Sequence, residues 1–372
     1  MTSTPMRVLH VVYAMNTGGI ESWLMTLYRS IDKTKLSFDF LVNVKTDAFF
    51  DEEIKALGGR VIYGGKLNNP AEVFLKTRAL LEETHYEAVH CHNVENAFPV
   101  LLAAKGHGLN KRLYHCHNNI NHKWKHISEL KKLYLNVCNK LSIHFSTHRL
   151  SVSKESGDIL FGSHDYQQLS LGIELQNFTM SKRGTLNRID FGINQGTLVV
   201  GHVGRFDLQK NHTFFIQIAA KLVKTVPDIK FVLVGTGKLE TEILQQIKVL
   251  RLEKYFILLG TRSDVPQLML DIMDVFLFPS LFEGLGLVVV EAQAAGLPVV
   301  CSNMIPSEAI VNSKLVEVCD INSSEESWVN SVLKLTSKEN KQKEEAKNVV
   351  SRSDFNLQRT LLTLESLWLA KK

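Results

Sequence analysis

Long apolar runs are missing from this chain of 372 residues. No stretch reaches the ~18 consecutive apolar residues that a membrane-spanning helix needs, so no span is expected. The apolar opening at Met6–Tyr13 is too short to cross a bilayer and has no small-residue cleavage site, so a secretory signal is not expected either. Five cysteines do not make a disulfide framework in a chain this long, and a reducing cytoplasm is the expected compartment. Charge of one sign is not abundant: the formal net charge is +5. No nucleic-acid-binding motif accompanies it, and nucleic acid is not expected as a partner. Internal repeats and low-complexity tracts are absent. Neither the GxGxxG spacing of a dinucleotide site nor the lysine of a P-loop follows the first strand, where the sequence reads Asn16-Thr17-Gly18-Gly19-Ile20-Glu21.

What remains is an ordinary globular composition, 45% apolar and 22% charged, in a chain long enough for two domains. Strand-like runs at 6–13, 38–44, 60–63, 86–91, 112–116 and 149–153 alternate with helical patterns. The first helix shows Ile20, Trp23, Leu24, Leu27, Tyr28 and Ile31 on one stripe of period 3.6. A second series begins near Thr197, with strands expected at 197–203, 229–235, 256–260, 275–279 and 298–301. Strands separated by amphipathic helices imply parallel sheets with crossover connections. The expected architecture is therefore α/β: two Rossmann-like parallel-sheet domains facing across a cleft. The boundaries read as 1–172, a polar linker at 173–196, and 197–354. A last helix at about 355–372 carries Leu357, Leu361, Leu364 and Trp368 on one face. In such sheets ligands bind at the carboxyl ends of the strands.

Four motifs stand at such places, and a fifth lies on an expected amphipathic helix. After the strand that ends at Phe278 comes Glu283-Gly284-Leu285-Gly286, then a helix that carries Glu291. A glycine turn opening a helix aims N–H groups and the helix dipole at one point, which suits an anion. The two carboxylates, eight residues apart, suit sugar hydroxyls. Gly204-Arg205-Phe206 and Lys210 bracket a second strand-end loop, where two cations would neutralise a diphosphate. Gly18 and Gly19 form a third turn. His90-Cys91-His92 and His115-Cys116-His117 form the fourth group. Spacing of two puts each histidine pair on a common face, as metal ligands would stand, but no third-ligand spacing is recognisable. These are read as polar cleft histidines, with no metal, and His117 as the one nearest the chemistry. The fifth is a basic segment. Eight Lys or Arg and a single acid, Glu129, fall between Lys111 and Arg149. Within it Lys123, Trp124, Lys125, Lys131 and Lys132 interleave cations with an aromatic residue, a pattern suited to an anionic membrane surface.

Taken in this order, the motifs resemble those of the retaining family 4 glycosyltransferases of the GT-B fold, particularly bacterial capsule and exopolysaccharide enzymes. The resemblance runs over nearly the whole chain, and the Glu283-to-Glu291 spacing with its internal glycines is its most specific element. It implies that Arg205, Lys210, Gly204 and the backbone of Gly284, Leu285 and Gly286 bind the diphosphate of a nucleotide-sugar donor. It implies Glu291 on the ribose, Glu283 on the donor sugar, Thr261 and Arg262 beside the base, Gly18 and Gly19 along the cleft, and His117 as the active-site histidine. Uridine is the base it implies. The acceptor would be a glycan or a polyprenyl-diphosphate-linked sugar, handled by a cytoplasmic enzyme at the inner face of the cell membrane, with no cofactor or metal. A sugar-nucleotide epimerase of the same fold and a non-catalytic accessory subunit are the competing expectations.

Overall fold

The computed structural model describes residues 5–124, 127–337 and 343–369. Lys125, one of the membrane-surface candidates, lies outside them, as does the side chain of Lys123. The chain divides into two compact units. Unit 1 comprises Met1–Gly172 with Leu357–Lys372, and unit 2 comprises Ile173–Asn356.

Unit 1 is built on β1 (Met6–Val11), β2 (Leu36–Val42), β3 (Arg60–Tyr63), β4 (Ala88–Cys91), β5 (Lys111–Cys116), β6 (His148–Ser151) and β7 (Gln167–Gln168). All pairings are parallel, in the order β3-β2-β1-β4-β5-β6-β7. Because helices cover both faces, the inner strands are apolar nearly throughout, and every residue of β2 is buried. The helix Gly19–Ser30 lays the stripe read from sequence, Trp23, Leu24, Leu27 and Tyr28, into this core.

Unit 2 repeats the plan with β8 (Leu198–Val203), β9 (Ile229–Val234), β10 (Phe256–Leu258), β11 (Val275–Phe278), β12 (Val299–Ser302) and β13 (Val316–Cys319). Its order is β10-β9-β8-β11-β12-β13, again all parallel. In each sheet the strand order reverses once, between β1 and β4 and between β8 and β11. A crevice opens at such a switch point outside the strands' carboxyl ends, where doubly wound sheets bind ligands.

The helix Leu357–Leu369 belongs to unit 1, although unit 2 precedes it in the chain. Leu357, Leu361, Leu364 and Trp368 are its buried face. Thr360 Oγ1 donates to the carbonyl of Ser170 at 3.0 Å, and Lys111 Nζ donates to that of Trp368 at 2.6 Å. The helix passes so close to Gly172 that a Cβ there would stand 2.5 Å from the Cα of Leu357.

The stretch 173–196, expected to be a linker, is folded onto unit 2. The Asp271 carboxylate accepts N–H groups from Gly184, Thr185 and Leu186 at 2.7, 3.1 and 3.1 Å. Arg188 pairs with Asp274 at 2.6 Å. Its polar, glycine-bearing composition marks backbone satisfied by side chains in short turns, not a free tether.

Candidate active site

In unit 2 the loop after β8 is anchored by Phe206, which is fully buried. The Phe206 N–H donates to the carbonyl of Thr236 at 2.9 Å, and its own carbonyl accepts from Leu239 at 3.0 Å. Gly235 makes this approach possible. Its φ is +134°, and a Cβ there would sit 2.1 Å from the Gly204 carbonyl oxygen. The anchor leaves Arg205 exposed on one side, its guanidinium without a hydrogen-bonded or ion-paired partner among the described residues. On the other side Asp207 caps the turn Leu208–Lys210 by accepting from the Lys210 N–H at 3.3 Å.

Two bonds stitch this loop to the one after β11: Leu281 N–H to the Gln209 carbonyl at 2.8 Å, and Asn211 Nδ2 to that of Pro279 at 3.1 Å. They bring Lys210 to Glu283. Nζ lies 2.6 Å from Oε1, and Gln209 Nε2 donates to Oε2 at 3.0 Å. The Lys210 ammonium also stands 4.7 Å from the centre of the Phe278 ring. The pair is largely shielded, with side-chain exposures of 16% and 7%. Gly204 leaves the Lys210 stem its path, since a Cβ there would crowd Cγ at 3.1 Å.

Beyond Glu283, Gly284 and Leu285 are buried, and Gly286 takes φ +80° to open the helix Leu287–Ala294. The positive end of that helix thus lies three residues after the carboxylate paired with Lys210. Glu291 sits further along, and its carboxylate makes no hydrogen bond or ion pair among the described residues. The sequence reading missed Gln293, which is fully buried. Its amide donates to the carbonyls of Val289 and Ala309 at 2.8 and 2.7 Å. It also accepts from Val311 and Asn312 at 2.9 and 2.8 Å, fixing the helix against its neighbouring loop. A buried Gln two residues after Glu291 in an otherwise apolar helix was the available signal. Gly260, at the end of β10, accepts from Gly235 N–H at 2.8 Å; Thr261 is exposed; Arg262 is held by Asp264 at 2.5 Å.

Burial raises the Glu291 carboxyl from 4.5 to about 7. Its folded value therefore exceeds its unfolded one, and the folded state holds the extra proton between those values. The contribution to stability is greatest below pH 4.5 and is lost as pH rises through about 7. Some contact with water tempers the effect. Glu291→Gln is expected to be more stable than the parent at pH 8 by about 1–3 kcal/mol, with the difference gone near pH 4.5. Urea midpoints at the two pH values check this; coincident midpoints at pH 8 would show the carboxylate well solvated.

In unit 1 the turn after β1 leads to Gly18, which precedes the helix, and Gly19, its first residue, with no protein atom within 4 Å of where a Gly19 Cβ would be. Across the switch point, five histidines share one sheet face: His10 on β1, His90 and His92 on and after β4, His115 and His117 on and after β5. His10 Nδ1 lies 3.0 Å from His92 Nε2, His92 Nδ1 lies 2.8 Å from His117 Nε2, and His90 Nε2 lies 3.2 Å from His115 Nδ1. Trp23 and Trp368 pack edge-on against the group. Burial lowers all five pKa values, to about 3 for His10 and His117, so the rings are neutral at physiological pH. The expectation of polar cleft histidines is corrected for His90, His92 and His115, which are buried; only His117 keeps partial exposure. His10, isolated in sequence, was not anticipated.

The basic segment also needs correction. Trp124 is 7% exposed and joins the core, so it presents no surface to a membrane. Lys131 and Lys132 lie on the helix Glu129–Phe145, which instead exposes Leu130, Leu133, Tyr134 and Val137 at i, i+3, i+4 and i+7.

Comparison with known proteins places these features in a family. The pattern of the group 1 glycosyl transferases matches residues 185–351. EpsF of Bacillus subtilis (strain 168), named as a glycosyltransferase, is 32% identical over 378 residues, covering 99% of this chain and 97% of its own. This chain belongs to the family 4 glycosyltransferases of the GT-B fold. The UDP-Gal:alpha-D-GlcNAc-diphosphoundecaprenol alpha-1,3-galactosyltransferase of Escherichia coli is 28% identical over 270 residues, 69% of this chain and 68% of its own. Among solved structures, Anabaena HepE in complex with UDP-glucose superposes with a TM-score of 0.80 at 22% identity, covering 97% of this chain and 100% of HepE. This likeness extends the fold assignment to both units of the glycosyltransferase. The resemblance read from sequence is thus confirmed for family and fold, and relatives named for lipid-linked sugar transfer and for polysaccharide biosynthesis fit its exopolysaccharide type.

Proposed function

We propose that this glycosyltransferase moves a hexose from a UDP-sugar to a glycan or polyprenyl-diphosphate-linked acceptor in surface polysaccharide synthesis. The transfer retains anomeric configuration and needs no metal. The observation that carries the reading is the Lys210–Glu283 pair at the β8/β11 switch point, between an arginine with no partner among the described residues and the start of a helix. Two cations and a helix N-terminus suit a leaving diphosphate, while carboxylates close by suit sugar hydroxyls.

In this reading Arg205 and Lys210 receive the diphosphate, with the backbone of Gly204 and of Gly284–Gly286 against the same oxygens. Glu291 accepts from the ribose hydroxyls, Glu283 accepts from the donor sugar, and Thr261 and Arg262 flank the base. Unit 1 takes the acceptor, with Gly18 and Gly19 leaving room for the ligands' approach and His117 beside the donor sugar. The bond from the anomeric carbon to the phosphate oxygen breaks as the acceptor oxygen bonds the same face, and the acceptor proton passes to the departing phosphate oxygen. Arg205 and Lys210 hold the charge that develops, which removes the need for a metal there.

The assay is a panel of UDP-, GDP- and ADP-sugars with and without bacterial lipid extract. UDP release from a UDP-hexose that rises with extract, together with a labelled lipid product of retained configuration, is expected. Epimer formation without extract would establish the epimerase instead, and silence under both conditions would leave an accessory subunit.

The reading also places the enzyme at the cytoplasmic face of the membrane, through the exposed apolar stripe and flanking lysines of helix Glu129–Phe145. Each such cation adds about 1 kcal/mol of attraction to an anionic surface. Lys131→Gln with Lys132→Gln is expected to weaken binding to phosphatidylglycerol vesicles about tenfold, less than two full charges because Lys132 already pairs with Glu129 at 2.7 Å. Unchanged co-sedimentation would remove this surface from the proposal.

A further inference from the structure

Five imidazoles meet on one face of the unit 1 sheet, and the transfer reading uses only His117. Their positions have a second meaning. The strands set His92 beside His115 and His117, and a ring nitrogen of each of the three lies within 4.8 Å of those of the other two. A tetrahedral ion holds imidazole nitrogens at about 2.0–2.1 Å, hence ~3.3 Å from one another. His92 Nδ1 and His117 Nε2 already face each other at 2.8 Å, so small ring rotations admit an ion between them. His115 is 1% exposed, its Nδ1 is occupied by His90, and its Nε2 has no partner among the described residues.

The remaining two histidines stand where the supporting groups of a metal site stand. A histidine that binds metal turns its other ring N–H to an acceptor, which fixes its tautomer and orientation. His10 Nδ1 is 3.0 Å from the far nitrogen of His92, and His90 Nε2 is 3.2 Å from that of His115. With the metal-facing nitrogens of His92 and His115 unprotonated, both far nitrogens are N–H donors, and each has its acceptor in place. Cys91 and Cys116, one residue out of phase, point to the opposite face, and among the described residues no carboxylate joins the group.

We propose that His92, His115 and His117 bind one divalent transition-metal ion, zinc by the chemistry of an all-imidazole set, oriented by His10 and His90. The partly exposed His117 gives the ion its path in from solvent and sets the fourth coordination position on that side. The alternative trio, His10, His90 and His92, is wholly buried and offers no such path. The ion ties the ends of β4 and β5 together. None of its residues belongs to the diphosphate-binding loops of unit 2, so the proposal stands whether or not the donor reading holds.

The test uses the full chain, stripped with a chelator, dialysed and titrated with zinc or cobalt(II) at pH 7.5. One equivalent of zinc retained on desalting is expected, measured by mass spectrometry of the metal. The visible absorption of tetrahedral cobalt should appear, and saturating zinc should raise the first melting transition by about 5 °C. His115→Gln is expected to lose all three signals, while His144→Gln, on an exposed helical position, keeps them. Less than a tenth of an equivalent in the parent protein, with no cobalt absorption and no shift in melting, overturns the proposal even if the variant does not fold. So does full binding by His115→Gln. The five rings are then a hydrogen-bonded relay alone.

Discussion

Lys210→Ala loses a factor of about 10²–10³ in kcat, the usual effect of deleting one group that stabilises developing charge. The same change leaves the buried Glu283 carboxylate without its cation, which costs about 3–5 kcal/mol of folding stability. The two effects are separable because they have different causes. In Lys210→Ala with Glu283→Gln, the stranded charge is gone, and stability recovers. Turnover does not, because the cation that faced the diphosphate is still missing. Single-turnover rates with the UDP-hexose, alongside urea denaturation of the parent, both single variants and the double variant, give the comparison. Near-parental turnover in Lys210→Ala would end the diphosphate role, whatever happened to stability.

Trp368→Ala has the largest effect expected on stability alone. The indole is fully buried in unit 1, edge-on to His10 and Phe38 at 5.5 and 5.2 Å between ring centres. Truncating so large a core side chain costs about 3–5 kcal/mol, and more where the cavity cannot collapse. The rigid sheet beneath and the helix held by Lys111 and Thr360 leave little room to relax. The core of unit 2 shares none of these residues. Calorimetry should therefore show the unit 1 transition lowered by about 8–15 °C for a unit of this size, with that of unit 2 in place. A single transition shifted as a whole would mean that the two units melt as one.

Much of this was written locally in the chain. Strand periodicity located β8, β9 and β11 to within a residue, because buried parallel strands are apolar on both faces and bounded by polar turns. β13 escaped notice: it is four residues long, lies at the edge, and carries Glu317 at its centre. Glu283 and Lys210 were each marked by their strand-end positions, and their contact across 73 residues is what the sheet order supplies. Gln209 was passed over because its role depends on that contact. The histidine group shows the same limit more sharply. His-x-His spacing places two side chains on one face, but the third ring comes from a neighbouring strand, and register, not spacing, decides which rings meet. Trp124 was misread because cations flank an aromatic residue equally well at a membrane and at the rim of a core.

The return of Leu357–Leu369 to unit 1 has a consequence for how the protein is made. Chains leave the ribosome in order, and domains generally fold as units while they emerge. Here the first half must wait. All of the second sheet is synthesised before Leu361, Leu364 and Trp368 appear, and until then the first sheet's histidine face has Trp23 against His92, His115 and His117 but lacks its cover over His10 and His90. The later half can be native while the earlier one is still unfinished, so nascent chains would carry an exposed aromatic and imidazole surface for the whole time it takes to translate unit 2.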